Sequence, residues 1–244
     1  MREVVVTGGS RGIGLAIALR LSGSGHGVTA IARRMTSELE AAIAGAADAG
    51  AGPIRFRQFD LARIEAIPAL VKSLRAEIGP IFGLINNAGL GTGGLLATMH
   101  NSQIEALVRL NVLSPMILTK YILRHMMADG AGRIVNMGSI VGDTGYNALS
   151  VYGATKAAAA GFTRSLAREA GRLGITVNTI APGFIATDMT EDLGEDKRAK
   201  IAGRSALRRL PEAQDVAAMV EFLLGEGGRN ITGTVLTVDA GNTA

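Results

Sequence analysis

The stretch Glu3-Val4-Val5-Val6-Thr7-Gly8-Gly9-Ser10-Arg11-Gly12-Ile13-Gly14, running on into Leu15-Ala16-Ile17-Ala18-Leu19, governs how the rest of the chain is read. Its β-branched run predicts a buried strand and the apolar run after Gly14 predicts a helix. Between them, glycines let backbone N–H groups approach an anion at the helix N-terminus, where the helix dipole favours negative charge. The spacing is Gly-x-x-x-Gly-x-Gly rather than the commoner G-x-G-x-x-G. It suits the pyrophosphate of a dinucleotide, although a glycine-rich turn that merely ends a strand has the same composition. Gly8, Ser10, Arg11, Gly12, Ile13 and Gly14 are the candidate phosphate-loop residues.

Working outward, short β-branched runs occur at Glu3–Thr7, Gly27–Ala32, Ile54–Phe59, Phe82–Ile85, Arg133–Met137, Thr176–Ile180 and Thr234–Val238. They alternate with segments of helical period at Gly12–Ser24, Ser37–Ala47, Glu65–Ile78, Gln103–Met127, Tyr152–Arg172 and Glu212–Leu224. Such alternation predicts a parallel sheet with crossover helices. Seven strands and six helices use nearly all of the 244 residues, so a single domain over residues 1–244 is expected. The expected fold is α/β, a Rossmann-type, doubly wound, seven-stranded parallel sheet with helices on both faces and its site at the carboxyl ends of the strands. Residues 184–211 break the rhythm with Glu191, Asp192, Glu195, Asp196, Lys197, Arg198 and Lys200 and no strand signal. A loop that long reads as a substrate lid or a partly disordered segment.

Composition removes several classes of function. With no Cys there is no disulfide scaffold, thiolate metal site or thiol nucleophile, and a reducing compartment is permitted. His26, His100 and His125 stand far apart, so no metal is expected. A net charge of +4 is too small to indicate a nucleic-acid partner. Charged or polar residues interrupt the apolar runs, which predicts no membrane span, and the apolar start is too short for a signal peptide. A soluble, cytoplasmic chain is expected.

In NAD enzymes of this architecture an acidic residue about 20 residues after the loop bonds the ribose 2′-hydroxyl. Here Arg33 and Arg34 occupy that place, after Val28-Thr29-Ala30-Ile31-Ala32. A guanidinium cannot accept the hydroxyl proton but its planar fork suits a phosphate, so with Arg11 nearby NADP is favoured over NAD. Arg34 alone could equally face solvent.

Tyr152 and Lys156, four residues apart on a predicted helix, share one face. An ammonium beside a phenol favours the phenolate and eases proton exchange near neutral pH, so the pair reads as a general acid/base unit. Ser139 directly follows the fifth strand, where its hydroxyl can reach a substrate carbonyl. Asn111 lies four residues before Pro115, which has no N–H for the Asn111 carbonyl, leaving that oxygen to a water or marking only a kink.

Taken together, Thr7-Gly8-x-x-x-Gly12-x-Gly14, Asn86-Asn87-Ala88-Gly89, Asn111, Ser139, Tyr152-x-x-x-Lys156 and Pro182-Gly183-x-x-x-Thr187 resemble the signature set of short-chain dehydrogenase/reductases, in the family's order. Within it, Ser165–Glu169, Gly174–Asn178 and Ala181–Met189 look most like 3-oxoacyl-[acyl-carrier-protein] reductases. The resemblance implies an NADPH-dependent reduction of a ketone. Tyr152 would be the proton donor, Lys156 would hold the ribose and lower the Tyr pKa, and Ser139 would orient the carbonyl. Asn111 would hold a water that connects Lys156 to solvent. It further implies that Asp60 and Leu61 flank the adenine, that Asn86 meets the adenosine side, that Ile185 and Thr187 lie at the nicotinamide carboxamide, and that Ala88, Gly89, Pro182 and Gly183 also bind the cofactor. Family members assemble as homotetramers or homodimers through helix faces, here at 103–127 and 152–172. Carrier-protein reductases often place a basic cluster before the fifth strand; this chain has Ala128-Asp129-Gly130-Ala131 there, leaving Arg124, Arg168 and Arg172 to attract an acyl carrier protein. A reductase of a free, steroid-like or sugar ketone and a catalytically silent NADP-binding scaffold are the alternatives.

Overall fold

Strand β1 (Glu3–Thr7) is buried along its whole length, as a strand covered on both faces must be. In the computed structural model, which describes residues 1–185 and 194–244, six further strands join it. They are β2 (Gly27–Ala32), β3 (Ile54–Gln58), β4 (Ile81–Asn86), β5 (Gly132–Met137), β6 (Ile175–Pro182) and β7 (Val235–Val238). The spatial order is β3-β2-β1-β4-β5-β6-β7 and every pair is parallel. Order reverses between β1 and β4, where crossovers depart to opposite faces and open a crevice beyond the strand ends. The seven-stranded, doubly wound fold expected from the sequence is therefore the one observed.

Strand parity sends alternate residues to separate cores. Val5, Leu84 and Ile134 face one side with Leu70, Leu74, Leu118, Ile122 and Leu166 from helices α3 (Ile67–Ile78), α5 (Ser114–Asp129) and α6 (Ser150–Ala170). Val4, Val6, Ile85 and Val135 face the other, against α1 (Gly12–Gly23) and α8 (Ala213–Leu224) through Ile17, Leu21, Val216 and Val220. Helix α2 (Ser37–Asp48) covers the outer strands with Leu39 and Ala42 against Ala30 and Ile54.

Two segments depart from expectation. The single helix expected over 103–127 is two, α4 (Asn101–Val108) and α5, joined by a π-turn at Arg109–Leu113 in which Ser114 N–H donates to the Arg109 carbonyl. Pro115 is the physical reason: it lacks the N–H that an unbroken α-helix would need there. The second departure lies in the charged stretch expected to be lid or loop, which contains helix α7 (Glu195–Arg204). Residues 186–193, and with them Thr187, lie outside the described residues.

Taken as one run of 29 residues, Asn101–Asp129 is long and apolar enough by composition to cross a membrane. In the fold one side of it serves the sheet: Leu107, Leu118, Ile122 and Met126 are fully buried. Val108, Leu113 and Met127 remain exposed on the outer side.

Beneath the carboxyl ends of β4 and β5 runs a buried polar chain. The Asn86 amide donates to Thr119 Oγ1 (2.9 Å) and Asn136 Oδ1 (2.8 Å), and the Asn136 amide donates to Thr163 Oγ1 (2.9 Å). Thr163 in turn shares a hydroxyl bond of 2.7 Å with Thr179. Two strands, α5, α6 and β6 are thereby tied at one level. Asn136→Ala removes both an acceptor and a donor from this chain. It should lower the unfolding free energy by about 2–4 kcal/mol, since buried groups left unpaired cost about 1–3 kcal/mol each. Urea denaturation at pH 7 measures the loss, and an unchanged midpoint would mean that the chain contributes no net stability.

Candidate active site

At the end of β1, Gly8 adopts φ +66°, a conformation that disfavours any side chain. The loop is tight enough that a Cβ on Gly14 would stand 2.2 Å from the Gly8 carbonyl oxygen. Thr7 fastens it to the neighbouring strand: its hydroxyl donates to the Ile85 carbonyl (3.2 Å) and accepts from Asn87 and Ala88 N–H (2.9 Å each). The Asn87 amide returns the contact, donating to the carbonyls of Thr7 (2.9 Å) and Gly8 (3.3 Å).

A third tie runs to β2. Thr36 caps α2, accepting from Leu39 N–H at 3.2 Å, and its hydroxyl donates to the Ser10 carbonyl at 2.6 Å. This brings the turn carrying Arg33 and Arg34, both exposed, beside Ser10 and Arg11 of the phosphate loop. The sequence does not single out Thr36, and it places Asn87 in the Asn86–Gly89 motif without a role. The N-cap pattern of Thr36 before Ser37-Glu38-Leu39 was the available signal for the first.

Three expected cofactor residues, Asn86, Leu61 and Ile185, have buried side chains. Asn86 turns into the sheet, and both hydrogens of its amide are engaged by Thr119 and Asn136, so its side chain does not face the crevice. Its neighbour Asn87 does, because successive residues at a strand end point to opposite sides. Leu61 and Ile185 are buried in the two cores, which leaves only their backbones to meet a ligand. Asp60 is exposed and accepts from Ala62 N–H at 3.0 Å. Ala88 and Gly89 line the crevice opposite Gly8 and Lys156, and Gly183 packs on Asp239 while its N–H donates to the Val238 carbonyl (2.9 Å). Thr187 falls among the residues not described.

The second half of the site forms where a turn leaves β5. Ser139 caps the short 3-10 turn Ile140–Gly142, its hydroxyl accepting from Val141 N–H at 3.3 Å. That turn lies directly on α6: a Cβ on Gly142 would be 3.0 Å from the Ala157 nitrogen, and one on Gly153 would be 2.9 Å from the Val141 oxygen. The glycines thus permit the approach that sets Ser139 against the first turns of α6, where Tyr152 and Lys156 stand. Lys156 Nζ donates to the Met137 carbonyl at 3.0 Å and lies 5.6 Å from the centre of the Tyr152 ring.

Asn111, buried in the π-turn, completes the group. Its amide donates to the Leu90 carbonyl (2.9 Å) and Thr155 Oγ1 (3.1 Å), and its Oδ1 accepts from Leu90 N–H (2.8 Å). Next to it lies a cavity of about 20 Å³ lined by Asn86, Asn111, Asn136 and Lys156. That volume suits one water.

Burial dominates the electrostatics. It pushes the Tyr152 phenol above its usual value, with the Ser139 hydroxyl pulling in the opposite direction. In the protein alone burial outweighs any lowering of the phenol by the ammonium expected from the i, i+4 spacing, and Lys156 is bonded to a backbone carbonyl at the face of the ring. Burial also draws the Lys156 ammonium down from 10.5 to about 8.

A strand–glycine loop–helix crevice, with a serine, a tyrosine and a lysine converging beyond β5, is accompanied by similarity along the chain. The short chain dehydrogenase family profile matches residues 2–198. The chain belongs to the short chain dehydrogenase family. It is 42% identical over 239 residues to the 3-oxoacyl-[acyl-carrier-protein] reductase FabG of Haemophilus influenzae, covering 97% of this chain and 96% of that one. The Escherichia coli FabG is 41% identical over 238 residues, with 97% and 95% covered. Among solved structures, a blue fluorescent protein from a metagenomic library, in complex with NADPH, superposes with a TM-score of 0.92 at 34% identity, covering 100% of this chain and 98% of that one. A short chain dehydrogenase from Burkholderia cenocepacia in complex with NADP gives 0.91 at 36% identity with the same coverage. As a short chain dehydrogenase, the protein is an oxidoreductase.

The Lys156 shift has a stability consequence with a definite sign. A base whose folded pKa of about 8 lies below its unfolded value near 10.5 opposes folding where it must stay charged, below about pH 8. That opposition fades as pH rises from 8 towards 10.5. Lys156→Met should therefore be more stable than wild type at pH 7, with the difference shrinking through this window. Paired denaturant titrations from pH 6.5 to 10.5 check it, and a constant difference would count against a depressed Lys156.

Proposed function

We propose that this short chain dehydrogenase is an NADPH-dependent carbonyl reductase acting on a 3-oxoacyl thioester. The observation that carries the reading is the meeting of Ser139, Tyr152 and Lys156 at the crevice whose other side is the phosphate loop. The residues fit the dinucleotide: the loop is closed by glycines where a Cβ would collide, and exposed Arg33 and Arg34 stand where a 2′-phosphate would need cations. When bound, the reduced nicotinamide supplies a hydride. Ser139 Oγ donates a hydrogen bond to the ketone oxygen and fixes the carbonyl between itself and Tyr152. The Tyr152 hydroxyl gives that oxygen its proton, and Lys156 replenishes the phenol with Asn111 and the adjoining cavity as the route for a water-borne proton.

Two relatives named as carrier-protein reductases at 41–42% identity support the thioester over other ketones. One observation favours a substrate that arrives without the acidic carrier. Where carrier-dependent enzymes often have a basic cluster, Asp129 receives a two-pronged bond from Arg75 at 2.5 and 2.9 Å, fixing α5 to α3 and presenting no cation. The exposed Val108, Leu113 and Met127 on the α4–α5 run suit self-association as a homodimer or homotetramer, and a cytoplasmic setting follows the same reading. Residues 184–211 act as the substrate lid. Hydrogen exchange of α7 with NADPH and a substrate analogue should slow relative to the free protein, and equal exchange would remove the lid role.

The deciding experiment follows NADPH oxidation with acetoacetyl thioesters, carrier-bound acyl chains and free ketones. Thioester turnover supports the reading, turnover of free ketones only supports the alternative substrate class, and none at all leaves a silent NADP-binding scaffold. Tyr152→Phe should lower turnover by about 10² to 10⁴ while NADPH still binds, because a positioned general acid typically contributes that much. Near-normal turnover would remove Tyr152 from the chemistry.

Cofactor choice gives a separate prediction. Charge-assisted hydrogen bonds from Arg33 to a 2′-phosphate are worth roughly 1.5–3 kcal/mol. Arg33→Ala should thus weaken NADPH binding about ten-fold or more and leave NADH little changed, with Arg34→Ala a smaller effect. Both cofactors are titrated at fixed ionic strength. An unchanged NADPH-to-NADH ratio in both variants would sink the arginine assignment.

A further inference from the structure

Ser139 and Tyr152 are joined by residues 140–151, and midway along that segment stands Tyr146. Its ring meets Phe184, just past the carboxyl end of β6, edge to face at 5.7 Å and 71°. Its hydroxyl bonds Asn242 Oδ1 at 3.4 Å, and the Asn242 amide donates to Ser205 Oγ at 3.3 Å. Ser205 is buried and directly follows α7. The same junction is reinforced by backbone: Ala206 N–H donates to the Gly241 carbonyl (3.2 Å) and Leu207 N–H to the Ala240 carbonyl (3.1 Å). Asp239 holds the tail in a turn, accepting from Gly241 N–H (2.8 Å), Thr243 N–H (2.9 Å) and Thr243 Oγ1 (2.7 Å). The C-terminal residues therefore couple the Tyr146 segment to the returning end of α7.

The glycine-rich loop after Gly89 attaches to the other side of this segment. Gly94 N–H donates to the Ala148 carbonyl at 2.8 Å, and the turn that follows presents Leu95 and Leu96 at 58% and 57% exposure. An aromatic pair that includes Tyr146 and two exposed leucines thus lie along the segment that joins the reacting side chains. No part of the hydride or proton chemistry uses them.

We propose that Tyr146 and Phe184 form the wall against which the apolar chain of the substrate packs beyond its ketone, and that Asn242 is a positioning residue that holds this wall through the Tyr146 hydroxyl. The inference rests on the reductase reading above and extends it to the recognition of an unbranched acyl chain. Tyr146 is then a specificity-determining residue, and the C-terminal tail belongs to the substrate site although it lies more than 80 residues from Tyr152 in sequence.

The test compares acetoacetyl and 3-oxooctanoyl N-acetylcysteamine thioesters as substrates for wild type, Tyr146→Ala, Tyr146→Phe, Asn242→Ala and the Tyr146→Phe/Asn242→Ala double variant. Tyr146→Ala should cut the ratio of kcat/KM for the long over the short thioester by about ten-fold or more, chiefly through KM for the long one, as expected when apolar contact to several methylenes is lost. NADPH affinity should be unaltered. Tyr146→Phe and Asn242→Ala should each produce a smaller drop, and the double variant should be no worse than Asn242→Ala alone, because the bond between the two side chains is already lost in that variant. If Tyr146→Ala fails to fold, Tyr146→Leu takes its place. A wild-type ratio in a folded Tyr146 variant, or additive effects of the two hydrogen-bond variants, would overturn the proposal while leaving the reductase reading intact. Wild-type inactivity towards both thioesters would overturn the reading itself, and the wall with it.

Discussion

The hydroxyl of Thr7 sits where β1 and β4 part. Crossovers from these two strands leave towards opposite faces of the sheet, so their ends separate and nothing in the β ladder continues to hold them. One donated and two accepted hydrogen bonds on a single side chain close that gap, and the Asn87 amide closes it from the other side through the carbonyls of Thr7 and Gly8. The phosphate loop is thereby held at both its ends, since Gly14 also packs onto the Gly8 carbonyl. The tie continues through Thr36 to Ser10, so the loop, the turn after β4 and the turn carrying Arg33 and Arg34 move as one unit. Selectivity for a phosphate on the ribose depends on that connection as much as on the arginines themselves, because exposed cations gain little from an anion whose position is not fixed.

The reacting side chains are held by a different device. Ser139, Tyr152 and Lys156 come from the end of a strand and the start of a helix, two elements that meet closely only because Gly142 and Gly153 lack side chains. Underneath, the chain of Asn86, Asn136, Thr119 and Thr163 fixes β4 and β5 against α5 and α6, so that the platform on which Ser139 and Asn111 rest does not shear. Buried polar chains of this kind rigidify when every member is satisfied. Asn86 Oδ1 is the one carbonyl oxygen of the set left without a protein partner, and Asn86 borders the cavity beside Lys156.

What the sequence disclosed follows from which signals are local. The order of strand, glycine loop and helix is legible because each piece is set by residues adjacent to it, and the seven-strand alternation follows from β-branched runs too short to be helices. Tyr152 and Lys156 are legible because an i, i+4 pair has only one geometry on a helix. The division of labour between Asn86 and Asn87 is not, because side-chain direction at a strand end depends on the residue at which the strand stops, and β4 ends at Asn86 itself. Helix α7 is missed for another reason. Glu195-Asp196-Lys197-Arg198 offers no apolar stripe, so the only cues are propensity and a boundary at Gly194. The tail contact at Asn242 is missed because a tertiary hydrogen bond over 96 residues leaves no periodic trace.

Lys156 is the place where the fold and the function pull apart. Its ammonium is enclosed, and its partner is a neutral carbonyl of Met137 rather than a carboxylate, so burial is opposed by hydrogen bonding alone. A methionine of similar length would fill the space without that opposition, and for stability it would be the better choice. An ionisable group kept in such surroundings, within one helical turn of a largely buried phenol, is more readily explained by proton chemistry than by packing. The same surroundings set both pKa values: burial lowers the amine from 10.5 to about 8 and raises the phenol above its usual 10, which makes the ammonium the more acidic of the two. A proton therefore passes favourably from the Lys156 ammonium to a Tyr152 phenolate, which restores the phenol once it has given its proton away. Enclosing the pair, at the expense of stability below pH 8, would therefore favour the direction in which Tyr152 gives up its proton, as the proposed reduction of a ketone requires.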